Sequence, residues 1–112
     1  DGNINILENR DDGFKVNILN PQSRSRVNYL AEVENHMKNL ADIDIIAASA
    51  GFDQGINDWG GLLTAADYNT LGVLMKTHSE RLCEGRRYAI FEGGYYHPDL
   101  GKHVDAFCQG FR

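Results

Sequence analysis

Two residues stand where this chain could do chemistry: the carboxylate of Asp53 and the phenol of Tyr95. Each follows a short apolar run that ends in glycine, at Gly51 in one case and at Gly93-Gly94 in the other. Apolar runs of this length suit strands that are covered on both faces, as in a parallel sheet. A carboxylate just past such a strand lies where α/β sheets place their ligands, although Asp also often caps a turn or a helix.

Two segments of the chain carry a family resemblance. The segment Ser49-Ala50-Gly51-Phe52-Asp53, followed by Asp58 and Gly60-Gly61, resembles the Ser-Ala-Gly-Phe-Asp signature of the histone deacetylase superfamily. That superfamily includes the acetoin-utilisation proteins and the acetylpolyamine amidohydrolases. The later segment Phe91-Glu92-Gly93-Gly94-Tyr95 is similar to its Glu-Gly-Gly-Tyr motif. The resemblance covers about residues 16–111 and corresponds to the C-terminal third of a family member.

The resemblance implies a zinc-dependent deacetylase, an amidohydrolase that cleaves acetylated amines of the acetyl-lysine or acetylpolyamine type. It implies one zinc ion held by two Asp and one His, and it assigns Asp53 to one of those carboxylates. It assigns Tyr95 to the hydroxyl that polarises the substrate carbonyl, a role that a neutral phenol can fill. Gly93 and Gly94 then bend the loop so that Tyr95 points into a substrate pocket. Two alternatives stay open: Tyr95 packs on a helix, or Tyr96 takes its role.

The remaining metal ligands of the family have no counterpart in this chain. Its Asp-x-His motif and tandem His pair are absent, although Asp1-Gly2-Asn3 is compatible with the end of a stretch that follows Asp-x-His in the family. Catalytic zinc needs three protein ligands, so Asp53 alone cannot hold it. We therefore expect the chain to be inactive by itself. The alternative is a non-catalytic truncated or split remnant that acts only through association with a partner chain.

The four histidines are not predicted to be metal ligands. No two of them have the i, i+4 spacing of a helical zinc site, and they are expected at the surface or partly packed. His97 lies beside the Tyr95 segment and is the one of interest. Asp58 is expected to shape the loop around Asp53, with a direct ligand role as the less favoured alternative. Trp59 is expected to pack on the core.

Gly93-Gly94 ahead of a predicted helix also allows a different function, a phosphate cradle in a small nucleotide-binding α/β module. That motif normally contains Gly-x-Gly-x-x-Gly or a lysine beside the glycines. Neither is present here, so the signal for nucleotide binding is weak.

The order of elements predicts an α/β fold with a parallel sheet and flanking helices. Strands are expected near residues 15–19, 43–49 and 87–91, and helices near 27–40, 64–82 and 98–107. Right-handed crossovers would bring Asp53 and Tyr95 to the same edge of the sheet. The resemblance narrows this to a partial arginase/deacetylase-like fold.

Length and composition set the remaining expectations. A chain of 112 residues is expected to form one domain, residues 1–112. Its formal net charge of −5 argues against a nucleic-acid partner, and no apolar run is long enough to span a membrane. Cys83 and Cys108 share no Cys-x-x-Cys spacing, so two free thiols in a reducing cytoplasm are expected. Apolar strands with an unpaired edge predict association with a complementary N-terminal segment or a second copy.

Overall fold

The computed structural model of the protein describes residues 4–9 and 15–112. The interpretation of Asp1-Gly2-Asn3 lies outside these residues. The elements in chain order are β1 (Ile4–Asn9), β2 (Lys15–Asn20), α1 (Arg26–Lys38), β3 (Ile46–Ala50), α2 (Ala65–Cys83), β4 (Arg87–Phe91) and α3 (His97–Phe111). The predicted α/β class is confirmed, while the arginase/deacetylase-like fold stays a prediction.

The two strands that precede Asp53 and Tyr95 pair in parallel. The register runs from Ile46 opposite Arg87 to Ala50 opposite Phe91. This confirms the predicted pairing of these strands, with α2 as the crossover between them. Because both strands run in the same direction, the loops that follow them leave the same edge of the sheet.

The predicted pairing of the strand at residues 15–19 is wrong. This segment was expected to lie parallel to the other two, but β2 pairs antiparallel with β1 in a separate two-stranded sheet. Asp12-Gly13, in the sequence between the strands, is a dipeptide that tight hairpins favour. A short connection permits only antiparallel pairing of consecutive strands, and it requires less loop closure than a crossover to β3.

The core forms where α2 and α3 pack on the inner face of β3 and β4. Its buried side chains are Ile46, Phe52, Leu63, Tyr68, Met75, Cys83 and Phe107. Gly72 of α2 and Gly110 of α3 let the helix backbones approach closely. A Cβ atom built on Gly72 would lie 2.8 Å from the backbone nitrogen of Phe111, and one on Gly110 would lie 2.9 Å from that of Val73.

Local capping explains where α1 and α2 begin. Thr64 caps α2 in a reciprocal box, because its side chain accepts from the Asp67 amide while the Asp67 carboxylate accepts from the Thr64 amide. Ser25 caps α1, and its hydroxyl accepts from the Asn28 amide.

The central strands have apolar runs typical of strands covered on both faces, but in the described chain they are covered on one face only. The inner face carries the buried Ile46, but Ile45, Tyr88 and Ile90 on the outer face are exposed by about half. The physical reason is that α2 and α3 cover one side of a two-stranded sheet, and no described element lies over the other. The result is an apolar surface, which we call the outer sheet face: Ile45, Ala47, Ser49, Tyr88 and Ile90.

Both cysteines are free, with Cys83 buried and Cys108 exposed, as predicted. Among the described helices, none combines the length and apolar character that crossing a bilayer requires.

Candidate functional site

Asp53 lies in a loop that closes on itself by backbone hydrogen bonds. The Asp53 carbonyl accepts from the Gly60 amide at 2.7 Å, and the Gln54 carbonyl accepts from the Leu63 amide at 2.7 Å. These bonds within the loop, residues 51–63, therefore hold the backbone of Asp53 in place relative to the sheet.

Tyr95 is brought to Asp53 by the loop after β4, residues 92–96. The Phe52 amide donates to the Gly93 carbonyl at 2.7 Å, which joins the two loops at their bases. A Cβ atom built on Gly93 would lie 3.3 Å from Asp53 Oδ2 and 3.4 Å from the Tyr95 hydroxyl. Both predicted functional groups thus lie beside the same glycine, which has no side chain to separate them. That they share a substrate pocket stays a prediction.

Gly94 has a conformational role next to this position. Its φ of 150° lies in a region that L side chains rarely adopt. A Cβ atom there would also lie 2.6 Å from the Cδ1 atom of Leu100. Gly94 therefore lets the chain turn from β4 into α3 against Leu100 while Tyr95 faces the Asp53 loop.

The Asp58 carboxylate accepts hydrogen bonds from both loops. Its Oδ2 accepts from the amides of Tyr95 at 2.7 Å and Tyr96 at 2.8 Å, and its Oδ1 accepts from the Trp59 amide at 2.7 Å. Burial acts to raise the pKa of Asp58, but these amides outweigh it, and the pKa lies below its ordinary value. The nearby His97 acts in the same direction. These bonds match the expected loop-shaping role.

The expectation that Trp59 packs on the core is wrong. Its side chain is 79% exposed and stacks on the Tyr95 ring, with the ring centroids 4.3 Å apart and the planes 24° from parallel. The physical reason is that the backbone amides of Trp59 and Tyr95 both donate to the Asp58 carboxylate. The two residues therefore lie next to each other, and their side chains extend side by side. The alternative in which Tyr95 packs on a helix is thereby not the observed arrangement, since its ring lies on Trp59.

Two further phenols near Asp53 were missed by sequence reasoning. Burial raises the pKa of Tyr29 and of Tyr68, and the negative charge of Asp53 acts on both in the same direction. The Tyr68 hydroxyl is buried beside the Gln54 backbone, which acts on its pKa in the opposite direction. In the sequence, Tyr68 falls on the apolar stripe of α2, which conceals any polar function of its hydroxyl.

α3 supports the Asp53 loop from the other side. The Asn57 side chain donates to Asp99 Oδ2 at 2.8 Å. Hydrogen bonds from Lys102 and Asn57 lower the pKa of Asp99. His103 is buried, packs against Gly55 and stacks on Tyr68 at a centroid distance of 5.0 Å. His103 is therefore more deeply placed than the partly packed position expected for it.

The described residues do not complete a metal site. Nowhere in residues 4–9 and 15–112 do three His, Cys, Asp or Glu side chains converge in a way that could hold a metal ion. Asp53 is the one predicted zinc ligand among them, and a zinc ion needs more than this carboxylate.

Comparison of the sequence with models of known protein families gives no match, and comparison with curated proteins gives none either.

Proposed function

We propose that this chain supplies part of the active site of a zinc-dependent, deacetylase-like amidohydrolase that acts on acetylated amines of the acetyl-lysine or acetylpolyamine type. The observation that supports it is the meeting of Asp53 and Tyr95 beside Gly93, at the carboxyl ends of two adjacent parallel strands. In this proposal Asp53 is one ligand of the zinc ion. When bound, zinc supplies Lewis acidity toward a carbonyl and a bound water.

The other residues of the proposal act through position and hydrogen bonding. The Tyr95 hydroxyl donates to the carbonyl oxygen of the substrate as negative charge develops there. Gly93 leaves open the space between this hydroxyl and the Asp53 carboxylate, where an amide group would enter. Gly94 gives the backbone turn that holds Tyr95 in this place. The missing metal ligands would come from other residues of the protein or from a partner chain.

The test compares phenylalanine substitutions of two neighbouring tyrosines in the protein as it is isolated from cells. Tyr95→Phe should lower kcat on an acetyl-lysine or acetylpolyamine reporter by about 10²–10³-fold while zinc content is unchanged, which is the usual effect of losing one oxyanion donor. Tyr96→Phe is the matched control and should keep activity, because only the backbone amide of Tyr96 bonds to Asp58. Asp53→Asn should lower zinc content. Full activity of the Tyr95→Phe protein would overturn the proposal.

A second candidate function is association without catalysis, as a truncated or split remnant. It is favoured by the outer sheet face, whose apolar side chains have no cover within the described chain. Here a complementary N-terminal segment or a second copy would cover that face. A protein that binds such a partner but releases no acetate from either reporter would support this alternative over the first.

A further inference from the structure

We infer that Asp58 and Trp59 are positioning residues for Tyr95, the carboxylate fixing its backbone and the indole fixing its ring. The effect of this positioning on catalysis rests on the proposed function, whereas the positioning of Tyr95 itself does not. The pair belongs to the Asp53 loop, so it also couples the two loops whose side chains meet beside Gly93.

Three short hydrogen bonds to Asp58 hold the backbone around Tyr95. One oxygen of Asp58 accepts from the consecutive amides of Tyr95 and Tyr96, at 2.7 and 2.8 Å, and the other oxygen accepts from Trp59 at 2.7 Å. Hydrogen bonds to a charged acceptor are shorter and stronger than neutral ones. Three of them on one carboxylate leave the Tyr95 Cα atom little freedom relative to the Asp53 loop.

The aromatic stack with Trp59 holds the ring of Tyr95. Tyr95 is 51% exposed, and a tyrosine that is half in solvent ordinarily samples more than one rotamer. The Trp59 indole covers one face of the ring at 4.3 Å, while the hydroxyl lies beside Gly93. Rotation of the Tyr95 side chain away from Gly93 would break this stack.

Position matters for a hydroxyl that donates to a developing oxyanion. A displacement of about 1 Å can lower the rate about 10²-fold. Loss of the Asp58 carboxylate should therefore lower kcat by about 10–100-fold and change KM much less. The conservative Asp58→Asn variant keeps one carbonyl oxygen as an acceptor and should recover part of the loss. Trp59→Ala should show a smaller decrease than Asp58→Ala, and Trp59→Phe should restore most of it because it can still stack.

Trp59 is the single tryptophan of the chain, so its fluorescence reports on the stack directly. A side chain with 79% exposure ordinarily moves on the picosecond to nanosecond timescale. Because Trp59 stacks on Tyr95, we expect the opposite: in time-resolved fluorescence anisotropy, the Trp59 indole should rotate with the whole molecule. In Asp58→Ala it should gain fast local motion, less so in Asp58→Asn. Asp105→Ala, which removes an exposed carboxylate of α3 that bonds only to Gln109 in the described chain, should leave the anisotropy unchanged.

Amide hydrogen exchange gives a second measurement in the same variants. Exchange at Tyr95 and Tyr96 should accelerate in Asp58→Ala, while Met75 in the core should stay protected. Fast local motion of Trp59 in the wild-type protein, or no change in anisotropy and exchange in Asp58→Ala, would overturn the inference. If the wild-type protein is inactive on both reporters even with its zinc ligands complete, the proposed function fails and the anisotropy decides whether Asp58 and Trp59 position Tyr95. If it is active and Asp58→Ala keeps full kcat, the inference fails and the proposed function stands.

Discussion

Replacing Gly72 by alanine should destabilise this protein, although alanine is the better helix former. In an open helix the change would stabilise by about 0.5–1 kcal/mol, because glycine loses more backbone entropy on folding. Here the new Cβ atom would lie 2.8 Å from the Phe111 nitrogen and closer still to the Phe107 carbonyl oxygen. Both are backbone atoms, so α3 as a whole must shift. Overpacking of this kind costs about 1–3 kcal/mol, which leaves a net loss of about 0.5–2 kcal/mol.

Gly101→Ala is the matched control, since Gly101 also lies within a helix but has no atom within 4 Å of its Cβ position. This variant should be more stable than the wild type by about 0.5–1 kcal/mol. Thermal and urea unfolding followed by far-UV circular dichroism would measure both, and a loss of 1 kcal/mol corresponds to a Tm lower by about 4–8 °C. If Gly72→Ala stabilised the protein as Gly101→Ala does, the close approach of α2 and α3 would be refuted.

Two further predictions concern charge and exposed surface. Burial acts to raise the pKa of Asp67, but hydrogen bonds from Arg26 and Thr64 lower it below its ordinary value of 3.8, so its contribution to stability is complete above that value and lost as the pH falls below it. Asp67→Asn should therefore lower the free energy of unfolding by about 1–2 kcal/mol at pH 7, and the urea midpoints of variant and wild type should converge as the pH falls below 3.8. A difference that stays the same as the pH falls would contradict this. Ile90→Lys, on the outer sheet face, should reduce self-association in sedimentation velocity, whereas Val27→Lys, at a more exposed site on α1, should not. Equal association of both variants would show that this face is not the contact surface.

The parts of the fold that the sequence predicted are those set by local or strongly patterned signals. The strand at residues 87–91 has the predicted bounds, because Gly85 and Gly93-Gly94 delimit one apolar run. Thr64 and Asp67 form the predicted start of α2, because a capping box depends only on residues three apart. The pairing of residues 15–19 failed because strand alternation alone does not say which neighbour a strand takes, and a nearby strand competes effectively with a distant one.

The proximity of Asp53 and Tyr95 could be predicted from the sequence, but the contacts that support the two residues could not. Glycine followed by a functional group at two strand ends placed Asp53 and Tyr95 together, since parallel strands share an edge. The stack of Trp59 on Tyr95 could not be predicted, because it depends on the direction in which two separate loops leave the sheet. The effect of the Asp53 charge on the pKa of Tyr68 could not be predicted either, because the fold and not the local sequence brings these two residues together.

The attachment of α1 has a consequence for how the molecule opens. Val33 is the one fully buried residue of this helix, while Tyr29 and Met37 are partly buried against the core. The helix is also joined to α2 by a guanidinium group at each end: Arg26 bonds to the Asp67 carboxylate, and Arg81 bonds to the Met37 carbonyl oxygen. Less apolar surface is exposed when such a helix detaches than when α2 or α3 does, so α1 is expected to unfold locally before α2, α3 and the β3–β4 sheet. A protease would then cut α1 before it cuts α2 or α3.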